Sequence, residues 1–246
     1  LLNDGLRFQL TSLRSTIADN SFFKFPFSSI EQNTKSVTGN IGLVHIPSDE
    51  FRVSTNLSSG FRAPNIDDAA RIFESSAALA RLVVPNPSIR PEYTYNGDIQ
   101  LQYKIGGLQL GITGFYTLFR NAITLAPFQL NGQDSVLYNG IKAQVIANQN
   151  ARKAFVRGFQ YKSIVTFSAA LSWETTVSQS YGRFTSSNGL QKPLDHIPPI
   201  FGRSALHYQK EALDWEFYVH FNGWKRIKDY NLDGEDNARS EEHTSE

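Results

Sequence analysis

Asp229-x-Asn231-x-Asp233-Gly234 sets three oxygen-bearing side chains and a glycine at the spacing that opens a calcium-binding EF-hand loop. The back half of such a loop does not follow: position 12, which should be a bidentate Glu, is Ser240, and position 8, ordinarily aliphatic, is Asp236. An acidic surface turn is the preferred reading, and no metal ligand is assigned. His207 and Glu216 come face to face if Lys210–Leu213 forms a hairpin turn, and Arg203 then faces His220. Two readings are open for this quartet: a metal-ligand or proton-relay pair, or a polar network that satisfies charges in a confined wet space. The second is preferred. Asp195-His196 joins a carboxylate to an imidazole, but there is no Gly-x-Ser-x-Gly and no serine with a placed base, so no nucleophilic triad is indicated. Five arginines in long connections, Arg71, Arg81, Arg90, Arg152 and Arg183, either steer an anionic ligand or are simply solvated loop charges. No catalytic or cofactor-binding residue is assigned, no cofactor is expected, and the ligand-contacting residues are left open.

The composition narrows the classes. The chain has 246 residues and no cysteine, which removes disulfides, thiol nucleophiles and Cys-ligated metals. Its 24 basic and 23 acidic residues leave a formal charge of +1, without the basic surplus of a nucleic-acid-binding protein. No stretch approaches the ~18 apolar residues of a membrane-spanning helix. The longest run, Ala77 to Val84, is broken by Arg81. A β-barrel is not excluded, because its strands alternate and escape a hydropathy window. Met is absent and the chain opens on Leu1-Leu2, so it is read as a fragment or mature piece. Residues 239–246 resemble the translation of a sequencing-adapter oligonucleotide rather than a protein end and are set apart from 1–238; the other reading is a solvated polar terminus.

The elements that must position these residues are strands. From Tyr93 to Ile105 one face reads Tyr93, Tyr95, Gly97, Ile99, Leu101, Tyr103, Ile105, and the other reads Thr94, Asn96, Asp98, Gln100, Gln102, Lys104. After Gly106-Gly107 the alternation resumes with Leu108, Leu110, Ile112 against Gln109, Gly111, Thr113. Pairing through that turn sets Leu101 opposite Ile112 and Gln100 opposite Thr113. Nine such segments run along the chain: 5–15, 35–45, 50–62, 92–105, 108–120, 152–167, 170–181, 200–209 and 214–224. Their connections alternate. Short turns fall near Pro47-Ser48-Asp49, Gly106-Gly107, Ser168-Ala169 and 210–213; long loops fall at 17–34, 63–91, 121–151, 182–199 and after Lys225. In the second long loop, Asn65 is a candidate cap for a helical turn over 65–73, with Asp67 and Asp68 at its positive end. Strict short–long alternation is a habit of outer-membrane barrels, which turn tightly at the periplasm and loop long outside. Several segments exceed the ~5–6 residues usual for a globular strand and match the ~9–11 needed to cross a bilayer at a tilt. Arg52, Asp98, Lys104, Glu174, Arg203 and Glu216 fall on the polar face, too many charges for a packed sandwich interior.

Gly60-Phe-Arg-Ala-Pro-Asn-Ile-Asp-Asp68, Pro85-Asn-Pro-Ser-Ile-Arg-Pro-Glu92 and Leu194-Asp-His-Ile-Pro-Pro-Ile-Phe-Gly-Arg203 resemble TonB-dependent outer-membrane receptors, most of all their Bacteroidetes-type branch. Gly234-Glu-Asp-Asn237 is similar to the stretch before that branch's final strand. The resemblance implies an all-β fold: an antiparallel up-and-down transmembrane barrel of about 22 strands around an N-terminal plug. This chain is then an open partial barrel of about nine strands within residues 1–238, lacking the plug, the TonB box, the first strands and the last strand. It implies no enzyme but an active-transport receptor of the Gram-negative outer membrane. Such receptors take up scarce ligands such as ferric siderophores, haem, cobalamin or glycans, with energy from the TonB–ExbB–ExbD complex. Expected partners are outer-membrane lipid, the plug domain of the full-length chain, that complex, and a small-molecule or metal-chelate ligand; nucleic acid is not among them. The alternative is a non-transporting outer-membrane binding barrel, an adhesin or peptide receptor. In either case Leu101, Tyr103, Leu110 and Ile112 face lipid, and Gln100, Gln102, Lys104 and Thr113 face the lumen.

Overall fold

The computed structural model describes residues 1–70, 72–76, 80–151, 153–186 and 189–231. In chain order the elements are β1 (Leu2–Thr16), β2 (Ser29–His45), β3 (Phe51–Arg62), α1 (Ile66–Ala69), β4 (Phe73–Ser76), β5 (Arg81–Val83), β6 (Glu92–Ile105), β7 (Leu108–Arg120), β8 (Ile123–Pro127), β9 (Ser135–Tyr138), β10 (Ile141–Asn150), β11 (Lys153–Thr166), β12 (Leu171–Thr185), β13 (Gln191–Pro193), β14 (Phe201–Lys210) and β15 (Leu213–Asn222). Nine long strands make one antiparallel meander in the order β1-β2-β3-β6-β7-β11-β12-β14-β15, with β13 appended to β12. Each expected segment is a strand of this sheet. Several run longer than the alternation suggested: β2 begins at Ser29 and β12 reaches Thr185.

Register makes the two faces plain. One cross-strand row reads Val53, Leu101, Ile112, Tyr161, Val177, Gly202, Phe221. The row one residue along reads Arg52, Gln102, Gly111, Lys162, Thr176, Arg203, His220. A strand's side chains alternate with period 2, so these rows lie on opposite faces, and all six charges expected on the polar face share it. The predicted pairs Leu101↔Ile112 and Gln100↔Thr113 are present. Gly106 takes φ +52 to close the tight β6–β7 turn. At Gly202 a Cβ would stand 2.2 Å from the Phe221 ring, so the missing side chain lets that ring lie across the sheet.

The apolar face is bare. Leu6 is 89% exposed, Phe8 64%, Val37 65%, Leu57 63% and Phe217 66%. An apolar surface of this extent has no place against water and fits a lipid surround. Both terminal strands, β1 and β15, carry an unpaired edge among the described residues. An open edge in hydrocarbon leaves backbone groups unsatisfied. Expressed by itself, this segment is expected to form inclusion bodies or to require detergent; a monomeric soluble product with a cooperative melt would contradict that.

The buried core lies elsewhere, in the connections at the far end from the tight turns. The loops at 63–91 and 121–151 fold into a second sheet, β4-β5-β10-β8 with β9 on β10, a structure that sequence alternation did not indicate. Here β5 runs parallel to β10, pairing Val145 with Leu82 and Ile146 with Val83. Leu82, Val84, Ala143, Val145 and Ala147 pack on one side with Phe25 and Leu130, while Val83, Ile146 and Leu125 pack on the other. Helix α1 is shorter than expected. Asn65 caps it through a reciprocal box with Asp68, but it ends at Ala69, and the chain enters β4 at Phe73. A lone turn of helix without an apolar stripe propagates poorly, and pairing with β5 takes the following residues.

Candidate functional site

The polar face bounds a cavity of about 590 Å³ whose lining includes Gln100, Gln102, Lys104, Gln109, Thr113, Gln160, Lys162, Thr176 and Ser178. Several charges of the polar face are held by partners. Lys162 Nζ lies 3.0 Å from Glu174 Oε1. Asp98 accepts from Asn56 at 3.1 Å and from Asn96 at 3.2 Å, and Asn96 in turn accepts from the Thr117 hydroxyl at 2.6 Å. The β14–β15 hairpin sets His207 opposite Glu216 and Arg203 opposite His220, as the turn predicts. Glu216 holds Arg203 diagonally across the ladder and lies 3.1 Å from His207 Nδ1 directly opposite. The Arg203 guanidinium also lies 4.9 Å over the Tyr218 ring, whose centroid is 5.2 Å from that of His220. These side chains are part-exposed, so each pair adds at most ~1 kcal/mol. Among the described residues no group of three or more His, Asp or Glu side chains converges as a metal site. The arrangement is a hydrated wall in which most charges have polar partners.

At the upper end of the wall the first two quoted motifs form a clamp. Arg62 reaches Asp68 at 2.7 Å and Glu92 at 3.5 Å, so the arginine of the first motif joins that motif's own aspartate to the glutamate that ends the second. Pro64 helps to end β3, since proline supplies no N–H for the ladder. Asp68 is also half of the capping box, and Glu92 accepts the Ile123 N–H at 2.8 Å. Beside it stands a bracket of asparagines that the sequence did not single out. Asn86, 7% exposed, donates to Asn148 O and accepts from Ser88 N–H. Asn150 exchanges hydrogen bonds with the Arg90 backbone at 2.7 and 2.9 Å and donates to Asn121 O at 2.8 Å. These contacts bind the cap sheet to β3, β6 and β7. Asp68→Ala leaves the Asn65 cap on the residue-68 N–H but removes the reciprocal half of the box and the Arg62 clamp, so α1 is expected to lose about 1 kcal/mol of local stability. Hydrogen exchange should quicken at the Asp68, Ala69 and Asn86 amides while the β6–β7 amides stay protected.

The cap also carries an aromatic ladder. Asn20 organises the segment after β1 by donating to Phe25 O and accepting from Phe25 N–H, with Lys24 at φ +50. Asp19 accepts from Ser21, by hydroxyl and backbone N–H, which holds its carboxyl below the usual carboxylate range. Phe23, Phe25 and Phe27 stack in series at 5.4 and 5.6 Å, and Phe23 also stacks on Tyr138 at 6.1 Å. Phe22 meets Phe23 edge-on at 4.7 Å and remains 67% exposed. Asn131 ties this segment to the β8–β9 connection by donating to Lys24 O at 3.2 Å.

Three of the five loop arginines, Arg81, Arg90 and Arg183, lie among the described residues. Arg183 is ion-paired with Asp229, only 12% exposed, and lies 4.2 Å over the Tyr181 ring, so its charge is spent internally. That pair also commits the first carboxylate of the EF-hand-like stretch. Arg90 is exposed and held by its backbone, Arg81 precedes the cap core, and Arg71 and Arg152 lie outside the described residues. Asp233, Gly234, Asp236, Asn237, Ser240 and the 239–246 tail lie outside them as well. Asp195-His196 occupies the connection before β14, with His196 at φ +58.

Known proteins share this geometry. The family described as "TonB dependent receptor-like, beta-barrel" matches residues 1–244. The probable hemoglobin and hemoglobin-haptoglobin-binding protein 4 of Haemophilus influenzae is 24% identical over 225 residues, covering 88% of this chain and 22% of that protein. The ferric enterobactin receptor PirA of Pseudomonas aeruginosa is 25% identical over 171 residues, covering 65% of this chain and 22% of that protein. Among solved structures, the copper transporter OprC superposes with a TM-score of 0.66 at 18% identity, covering 88% of this chain and 31% of that one. The Serratia marcescens hemophore receptor HasR does so with a TM-score of 0.65 at 16% identity, covering 90% and 41%. The chain thus spans about a fifth of the length of the curated relatives it matches. Its sheet is a piece of a Gram-negative outer-membrane barrel wall, with one apolar and one polar face. The chain belongs to the TonB-dependent receptor β-barrel family.

Proposed function

We propose that this chain supplies wall and extracellular cap to a receptor that actively imports a scarce iron-bearing ligand, a ferric siderophore or haem-type chelate, across the outer membrane. Residues 1–238 form the C-terminal part of the barrel in this reading, and 239–246 are foreign to it. The plug comes from the full-length chain, and the TonB–ExbB–ExbD complex supplies energy through it. One observation carries the reading: nine two-faced strands end, away from their tight turns, in a cap with its own buried core. A passive pore has no need of such a cap, whereas a receptor must hold its ligand above the lumen. The names of the relatives, a hemoglobin-binding protein and a ferric enterobactin receptor, support an iron source as ligand. The exposed end of the aromatic ladder at Phe22 offers a surface for a planar ring system.

The experiment is uptake of radiolabelled iron chelates by cells carrying the full-length gene, with and without a functional TonB complex. Import that requires both the gene and TonB supports the reading. Ligand binding at the cell surface that never proceeds to import, with or without TonB, favours the adhesin or peptide-receptor alternative and overturns this one.

A further inference from the structure

Four neighbouring strands, β6, β7, β11 and β12, expose an outward face whose only charges lie at the cap end, and all of them are positive. Register assigns Arg120, Lys153, Arg157 and Arg183 to that face; the other outward positions of these strands carry no Asp or Glu. Arg183 is neutralised by Asp229. Arg157 makes no ion pair among the described residues and is exposed. It stands directly opposite Tyr116 on one side and Tyr181 on the other. Its guanidinium lies 5.3 Å over the Tyr181 ring and 5.9 Å over Phe155, and Phe155 stacks on Tyr116 at 5.8 Å with the planes 6° apart.

Depth places this cluster. Arg157 is the tenth residue of β11 counted back from its tight-turn end at Thr166, and a tilted strand crosses the hydrocarbon in about 9–11 residues. The three rings are thus the far aromatic girdle, where amphipathic side chains meet the headgroups. Below them on the same face lie Ile112, Phe159 and Val177, an apolar path suited to an acyl chain. A guanidinium there has rings on one side and, among the described residues, no carboxylate to answer it. Its planar fork of N–H donors matches a phosphate better than any neutral group.

We propose that Arg157, seated among Tyr116, Phe155 and Tyr181, binds the phosphate of an anionic membrane-lipid headgroup, with Arg120 and Lys153 adding positive charge just above. The occupant is a lipid because the site combines cation, girdle and acyl path at one depth. This inference rests on the membrane placement of the sheet and is independent of which ligand the receptor imports.

The test uses the detergent-purified full-length receptor and native mass spectrometry. Phosphatidic acid is the lipid probe, diacylglycerol is its phosphate-free counterpart, and inorganic phosphate is the competitor. The wild-type protein should retain phosphatidic acid at least fivefold better than diacylglycerol. Arg157→Gln should cut that retention about fivefold, Arg157→Lys should keep part of it, and the inward-facing Lys104→Gln should leave it unchanged. Heat-modifiable gel mobility confirms that each variant is folded. If Arg157→Gln does not fold, the double variant Arg120→Gln/Lys153→Gln, expected to weaken retention by a smaller factor, serves in its place. Undiminished retention in the folded outward-face variant, equal loss in Lys104→Gln, or displacement of the lipid by inorganic phosphate at matched concentration would overturn the proposal.

Discussion

Ile112→Arg in the full-length receptor is expected to prevent most of the protein from reaching its folded, heat-modifiable form in the outer membrane, whereas Thr113→Arg should assemble nearly as wild type. The two positions are consecutive and sit at the same depth. Ile112 is 45% exposed on the bare apolar face, opposite Leu101 and Tyr161, while Thr113 lines the hydrated cavity with Gln100 and Gln160. An arginine facing hydrocarbon near the midplane costs about 2–4 kcal/mol, and one in the lumen stays solvated. The same side chain therefore has opposite consequences one residue apart. Heat-modifiable gel mobility in outer-membrane fractions reads the difference. Equal assembly of the two variants would mean that the faces are exchanged.

Val145→Asp is expected to separate ligand capture from barrel assembly. Val145 is fully buried at the centre of the cap, paired with Leu82 in the parallel ladder and packed among Leu82, Val84 and Phe25. A carboxylate there loses the apolar contacts and has no partner, a cost of about 3 kcal/mol or more that either unfolds the cap or forces a proton onto the acid. The wall does not depend on this core, since its strands are tied by their own ladder and by lipid. The variant should reach the outer membrane in heat-modifiable form and yet bind the iron chelate proposed as its ligand at least tenfold more weakly. The conservative Val145→Ile should retain binding. Normal binding by the aspartate variant would show that the cap is not the ligand-holding part.

The wall was legible because one rule governs it. Tyr93 to Leu118 alternate with one large exception, Phe115 on the polar face, and the glycine pair between them fixes the register, so even individual partners such as Leu101 and Ile112 follow from the sequence. The cap follows a different rule. Leu82-Val83-Val84 and Val145-Ile146-Ala147 are buried on both faces, so they read as short apolar runs rather than alternating ones. Their pairing is parallel and joins residues about sixty positions apart, which no local pattern records. Helix α1 shows a related failure: Asn65, Asp67 and Asp68 announce its start correctly, but its end is set by the ladder to β5 rather than by any stop signal. The candidate site divides in the same way. The His207–Glu216 pair was visible as hairpin geometry, whereas the diagonal Arg203–Glu216 contact depends on side-chain reach. Arg62, Asp68 and Glu92 were visible as motif letters, and only the fold reveals that they grip one another. Asn86, Asn148 and Asn150 gave no signal because an asparagine that brackets backbone looks the same in sequence as one in water.

The central claim is that these strands are a barrel wall with lipid on one face and water on the other. Site-directed spin labelling tests it most directly, and this chain contributes no native cysteine to compete with introduced ones. Single cysteines placed at each position from Ile99 to Gly114 of the full-length receptor in membranes would carry nitroxides, with collision rates measured for oxygen and for a water-soluble nickel chelate. The account predicts alternation with period 2: oxygen access peaks at Ile99, Leu101, Tyr103, Leu110 and Ile112, and nickel access peaks at Gln100, Gln102, Lys104, Gln109 and Thr113. The same alternation with the phase reversed, or collision rates that do not alternate, would contradict it.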